Sequence, residues 1–190
     1  FGTILSRNSA SIVTILGSSF TNQAGGTLAG IGEYDFSQPT LTNNGIIAPG
    51  LSTGTLTLDG NVVFGSTAEL HIEIGGLNQG IDYDFVNAMD NLALHGQLSV
   101  NFVGGFQNHV GAVDSFTILS AAGLSGIFFG LADGATFVTD DGYGSFQINY
   151  VGNNVVLRNF SAVPEPGPGL ALILIAAICS FRRSIRTQST

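Results

Sequence analysis

Neither a helix nor a sheet can run through Pro164-Glu165-Pro166-Gly167-Pro168-Gly169. Each proline there lacks a backbone donor, fixes φ, and biases the residue before it away from helix. The chain is therefore read as a body ending near Ser161 and a tail after it, and charge follows the same division. The body sets twelve Asp and Glu against Arg7 and Arg158, a net −10, whereas the tail sets Glu165 against Arg182, Arg183 and Arg186, a net +2. A body that acidic, without a single Lys, has little to attract phosphate backbones, so we expect no nucleic-acid partner.

The body reads as strands. A mean hydropathy of +0.38 leaves ample apolar surface to bury, which argues against a disordered chain. Abundant Gly and Asn supply the turn conformations that β-branched residues avoid. Strict alternation places Leu70, Ile72 and Ile74 on one face and Glu69, His71 and Glu73 on the other, and it recurs at Leu98, Val100 and Phe102. Ser115 to Leu119, Phe146 to Val151 and Asn154 to Leu157 are further strands, with Val151-Gly152-Asn153-Asn154-Val155 a hairpin. Asp84 to Leu94 has ambiguous apolar spacing and is left unassigned. Gly2 to Leu5 and Ser11 to Gly17 are strand-like from the outset, and with no Met or signal sequence before Phe1 we read the chain as a fragment or processed product with residues missing upstream.

Phe20-Thr21-Asn22-Gln23-Ala24-Gly25 is echoed by Leu41-Thr42-Asn43-Asn44-Gly45 at a shift of 21 residues. A period of that size matches one turn of a β-solenoid, in which like positions stack.

In the tail, Leu170 to Phe181 is a nearly unbroken apolar run followed by Arg182, Arg183 and Arg186. As a helix, twelve residues cover about 18 Å of a ~30 Å hydrocarbon core. Snorkelling arginines would lengthen the crossing and stay cytoplasmic. The order Val163-Pro164-Glu165-Pro166, apolar segment, basic cluster resembles a PEP-CTERM sorting signal. That resemblance implies recognition by an exosortase-type membrane enzyme in Gram-negative, exopolysaccharide-producing bacteria. It makes Val163, Pro164, Glu165 and Pro166 the sorting motif and Leu170, Leu172, Ile173, Leu174, Ile175, Ile178 and Phe181 the membrane segment. Arg182, Arg183 and Arg186 become the cytoplasmic stop. Gly45 to Leu58, with Asp59-Gly60-Asn61, resembles the last repeats of autotransporter-associated β-helical proteins. Asp114 to Leu119 looks like the region that follows such repeats.

Together these resemblances imply an all-β protein: a right-handed parallel β-helix (solenoid) end with antiparallel capping strands, plus a C-terminal transmembrane helix. The expected divisions are solenoid coils over 1–64, a β-rich cap over 65–160, a Pro/Gly linker over 161–169, and a hydrophobic helix with basic tail over 170–190.

Chemistry is sparse. Glu69 and Glu73 on one straight strand are ~13.6 Å apart, too far to share a metal ion. Asp82 and Asp84 flank Tyr83 and could ligate calcium or form an acid/base pair, but they lack the spacing of calcium-binding repeats and read first as turn residues. Asp140-Asp141-Gly142 is a turn signal. His71, His95 and His109 are scattered, no Gly-x-Ser-x-Gly elbow occurs, and Cys179 lies in the tail. We therefore expect no catalytic residue, cofactor or metal. The expected function is that of an exported, non-catalytic cell-surface or matrix protein, in the inner membrane during transit and then at the cell surface or outside it, with extracellular polysaccharide as a candidate partner. The alternative is the C-terminal part of a carbohydrate-active enzyme whose catalytic coils lie upstream.

Overall fold

The computed structural model describes residues 2–37 and 39–163. The chain enters through short strands: β1 (Thr3–Ser6), β2 (Ile12–Thr14), β3 (Phe20–Asn22), β4 (Thr27–Gly30), β5 (Glu33–Asp35), β6 (Leu41–Asn43), β7 (Ile46–Pro49), β8 (Thr55–Asp59) and β9 (Val62–Phe64). Longer strands follow: β10 (Glu69–Ile74), β11 (Phe85–Leu94), β12 (Gln97–Phe102), β13 (Ser115–Gly126), β15 (Gly144–Val151) and β16 (Asn154–Ala162), with the short β14 (Thr136–Val138) before the last pair. A single turn of 3₁₀ helix covers Phe106–Asn108.

Two sheets share one core. The five-stranded sheet runs β1-β4-β7-β10-β12, all parallel. The eleven-stranded sheet follows the path β14-β15-β16-β13-β11-β8-β5-β2, with β3, β6 and β9 joined alongside. Inward positions stack in register. Leu28 lies beside Ile47, Ile47 beside Leu70 and Leu70 beside Leu98, while Tyr34 lies beside Leu58 in the other sheet. All of these are buried, and each such side chain contributes roughly 1.5–3 kcal/mol on leaving water. The alternation along β10 is strict, with Leu70, Ile72 and Ile74 buried and Glu69, His71 and Glu73 half-buried on the outer face.

The 21-residue echo is a physical register: Phe20, Thr21 and Asn22 sit directly on Leu41, Thr42 and Asn43. Asn22 Nδ2 donates to Asn43 Oδ1 at 2.7 Å, and Asn43 Nδ2 donates to the Gly45 carbonyl at 3.0 Å. Both amides are buried, so these bonds replace the water they have lost. Gly45 is needed beside them, since a Cβ there would lie 2.3 Å from the Gly26 carbonyl oxygen.

The architecture corrects the expected fold. The sheets are one parallel and one mixed, not a right-handed β-helical end closed by a separate antiparallel cap. The cause is β13, which runs parallel to β11 on one edge and antiparallel to β16 on the other. The antiparallel strands therefore extend the large sheet instead of covering its end. Among the described residues no helix is long and apolar enough to cross a membrane, so the architecture seen is all-β without the expected transmembrane helix among them. The segment from Leu170 to Phe181, with Leu170, Leu172, Ile173, Leu174, Ile175, Ile178 and Phe181, lies outside the described residues, as do Pro164, Glu165, Pro166, Arg182, Arg183 and Arg186.

The unassigned stretch Asp84 to Leu94 proves to be largely β11, whose register shifts between Ala88 and Asn91.

Candidate functional site

Two places in the described chain bear on function: a cavity on the small sheet and the point where the body meets the tail.

The cavity, of about 340 Å³, lies on the outer face of the five-stranded sheet. Its floor is set by residue size. Ala29 and Ala48 are in register on β4 and β7, so two methyl groups stand where larger side chains would fill the surface. Leu5 on β1 and Leu51 in the β7–β8 loop bring aliphatic surface to the lining, and His71, Glu73 and Asn101 bring polar groups from β10 and β12. Glu73 and Asn101 are paired in register.

The loop wall is held firmly. Gly50 has φ +87°, and a Cβ there would stand 2.0 Å from the Ser52 carbonyl oxygen, so only glycine suits this turn. Thr53 Oγ1 donates to the Ile81 carbonyl at 2.5 Å. The Gly54 N–H donates to Asp84 Oδ1 and the Glu73 N–H to Asp84 Oδ2, each at 2.8 Å. Asp84 is thus the buried bracket between loop and sheet. Burial pushes its carboxyl up to about 8, outweighing the two backbone donors that favour the charged form; the neighbouring charge of Glu73 adds a smaller upward push.

The structure separates the residues that alternation had grouped. Glu69 and His71 do meet, His71 Nε2–H donating to Glu69 Oε2 at 2.8 Å, but Glu73 stands apart from that pair. Asp82 turns away from Asp84: its Oδ2 accepts the Asn78 N–H at 3.2 Å and Asn78 Nδ2 at 2.5 Å, closing a tight loop. Asp140 and Asp141 form a turn that clamps the outer edge of β12. Asp141 Oδ2 accepts the Phe102 N–H at 2.6 Å, the Asp140 N–H donates to the Val100 carbonyl at 2.9 Å, and Ser99 Oγ donates to Asp140. His95 accepts the Gly96 N–H through Nδ1 at 2.8 Å, and His109 closes the 3₁₀ turn. The three histidines stay on separate elements, and among the described residues no group of three or more His, Cys, Asp or Glu is arranged to hold a metal ion. Sequence reasoning missed the cavity because its floor is made by register, not by any motif.

Backbone pairing continues up to the sorting motif. β16 remains paired through Ala162, which lies opposite Gly144, and the Val163 N–H donates to the Tyr143 carbonyl at 2.9 Å. Of the sorting motif, Val163 alone lies within the described residues, and it is half-exposed. The next residue in sequence is Pro164, which has no N–H with which to continue the ladder.

No known protein family matches this chain, and neither a curated protein nor a solved structure matches it.

Proposed function

We propose that this is an exported, non-catalytic cell-surface or extracellular-matrix protein, sorted by a PEP-CTERM-type tail that an exosortase-type membrane enzyme recognises. The tail engages the inner membrane in transit, and the body ends at the surface or outside the cell, with extracellular polysaccharide as a candidate partner. The observation that carries this reading is that the paired backbone of the body runs up to the Pro-Glu-Pro motif. The Val163 N–H still donates to the Tyr143 carbonyl, and the Pro-Glu-Pro that follows in sequence opens on a residue with no N–H to extend that pairing. A recognition enzyme can then read Pro164, Glu165 and Pro166 in extended form without opening β16.

Subcellular fractionation with C-terminal mapping tests this. The native chain is expected to leave the inner membrane with an altered C-terminus, and Pro164→Ala or Glu165→Ala to accumulate there with Arg186 retained. Identical location and C-terminus in all three chains would remove the proposal.

A further inference from the structure

The cavity on the small sheet has the chemistry of a ligand site that owes nothing to the tail. We propose that it binds a primary alkylammonium group, a protonated amine carried on an aliphatic stem, with Glu73 as its counter-ion.

The lining divides by polarity in the way such a ligand requires. Ala29, Ala48, Leu5 and Leu51 supply aliphatic surface on which methylene groups leave water. Glu73 supplies a carboxylate that, among the described residues, has neither an ion-pair nor a side-chain hydrogen-bond partner, whereas Glu69 is already engaged by His71. Asn101, paired with Glu73 across β10 and β12, adds an amide carbonyl acceptor on the same face. An ammonium carries three donors and no acceptor, so a carboxylate and an amide oxygen side by side suit it.

Charge excludes the main competitors. Arg7 and Arg158 are the only Lys or Arg side chains among the described residues, and neither lines the cavity, so an anion would meet Glu73 with nothing to offset it. Burial keeps Asp84 largely protonated at neutral pH, which leaves Glu73 as the charge at that end. A quaternary ammonium is disfavoured for a different reason. It has no N–H to donate and is bound through aromatic faces, but no aromatic ring other than the His71 imidazole lines this cavity. The wall is preformed, since Gly50, Thr53 and Gly54 are fixed by backbone geometry and by Asp84, so little ordering accompanies binding.

The same chemistry is offered by a free aliphatic amine and by a lysine side chain of a partner, and two probes separate them. The full chain in non-ionic detergent is titrated with n-pentylamine and with Nα-acetyl-lysine methylamide, following backbone amide NMR shifts. n-Pentanol and tetramethylammonium serve as controls. The expected result is saturable shifts confined to β4, β7, β10, β12 and the Gly50–Gly54 loop with the amines, and none with the controls. Glu73→Gln, a solvent-facing isostere, is expected to weaken binding by at least ~10-fold. Ala48→Leu fills the floor and is expected to abolish binding, with an unchanged spectrum elsewhere showing that it folds. Stronger binding of the lysine derivative assigns the site to a partner's side chain, and its exclusion while pentylamine binds assigns it to a free amine. Shifts absent with both amines, equal with pentanol or tetramethylammonium, or unaffected by Glu73→Gln would overturn the proposal.

Discussion

The parallel part of the molecule and the antiparallel part solve the same problem with different materials. From β1 to β9 no strand exceeds five residues, and each is held by the register of its neighbours and by buried polar ladders such as Asn22 on Asn43. From β13 onward three of the four strands have eight to twelve residues, and the core beneath them is an aromatic cluster. Phe146 sits at its centre, with ring centroids 5.0 Å from Phe160, 5.7 Å from Phe116 and 5.9 Å from Phe102. Short strands can be specified by repetition, because each pass of chain meets a surface like itself. Long strands that change direction need large side chains whose shapes fit one another.

The largest test of that contrast is Phe146→Ala. It removes a fully buried ring from the cluster and is expected to cost about 3–5 kcal/mol in urea unfolding. If the aromatic cluster unfolds as one unit, amide exchange should accelerate through β15 and β16 before β4 and β7 respond.

Asn43→Leu probes the other half. It keeps the volume but takes away the acceptor for Asn22 Nδ2, and leaving that buried amide with one fewer partner is expected to cost about 1–3 kcal/mol. A neutral or stabilising effect in urea unfolding would mean that the parallel strands rest on apolar stacking alone.

The same contrast explains what could be read in advance. The first echo was visible because Asn22 and Asn43 are chemically alike. The structure continues the 21-residue step, placing Leu41, Thr42 and Asn43 on Val62, Val63 and Phe64. There Phe64 replaces the Asn, so the geometry repeats while the text does not. Strand β10 was legible because it alternates without interruption. Strand β11 was not, since Met89, Asp90 and Asn91 are all exposed at its register shift and interrupt the period. The hairpin at Gly152 was announced by Gly-Asn, and the glycine takes φ +59°. The cavity left no trace in the text because Ala29 and Ala48 become neighbours only through strand pairing, and Asp84 is buried while Asp82 caps a loop.

Asp84 joins the two sheets, and its effect should depend on pH. Its pKa is raised from 3.8 to about 8, so the stability it lends is full below about pH 4 and is lost as pH rises through 8. Melting curves of the native chain and of Asp84→Asn should therefore differ most at about pH 4 and below, with the native chain the more stable, and converge toward pH 9. Taking the difference between the two removes the titration of the other acids. A gap that widened with pH would show that the carboxylate is bound better than the acid.

The smallest effect is expected at the turn after β14. Thr139 Oγ1 donates to Asp141 Oδ1 at 2.7 Å, and Thr139→Val is expected to lower stability by about 0.5–1.5 kcal/mol. The loss should be accompanied by faster exchange of the Phe102 amide, which Asp141 covers.

That turn gives the small sheet a polarity of its own. Along β12 the Phe102 amide and the Val100 carbonyl are occupied by Asp141 and Asp140, so an incoming strand could not pair with those two groups. On the opposite margin β1 pairs only with β4, leaving its other side without a strand partner among the described residues. The two margins of this sheet thus differ among the described residues: a carboxylate-bearing turn covers part of β12, whereas β1 is bordered by β4 on one side alone.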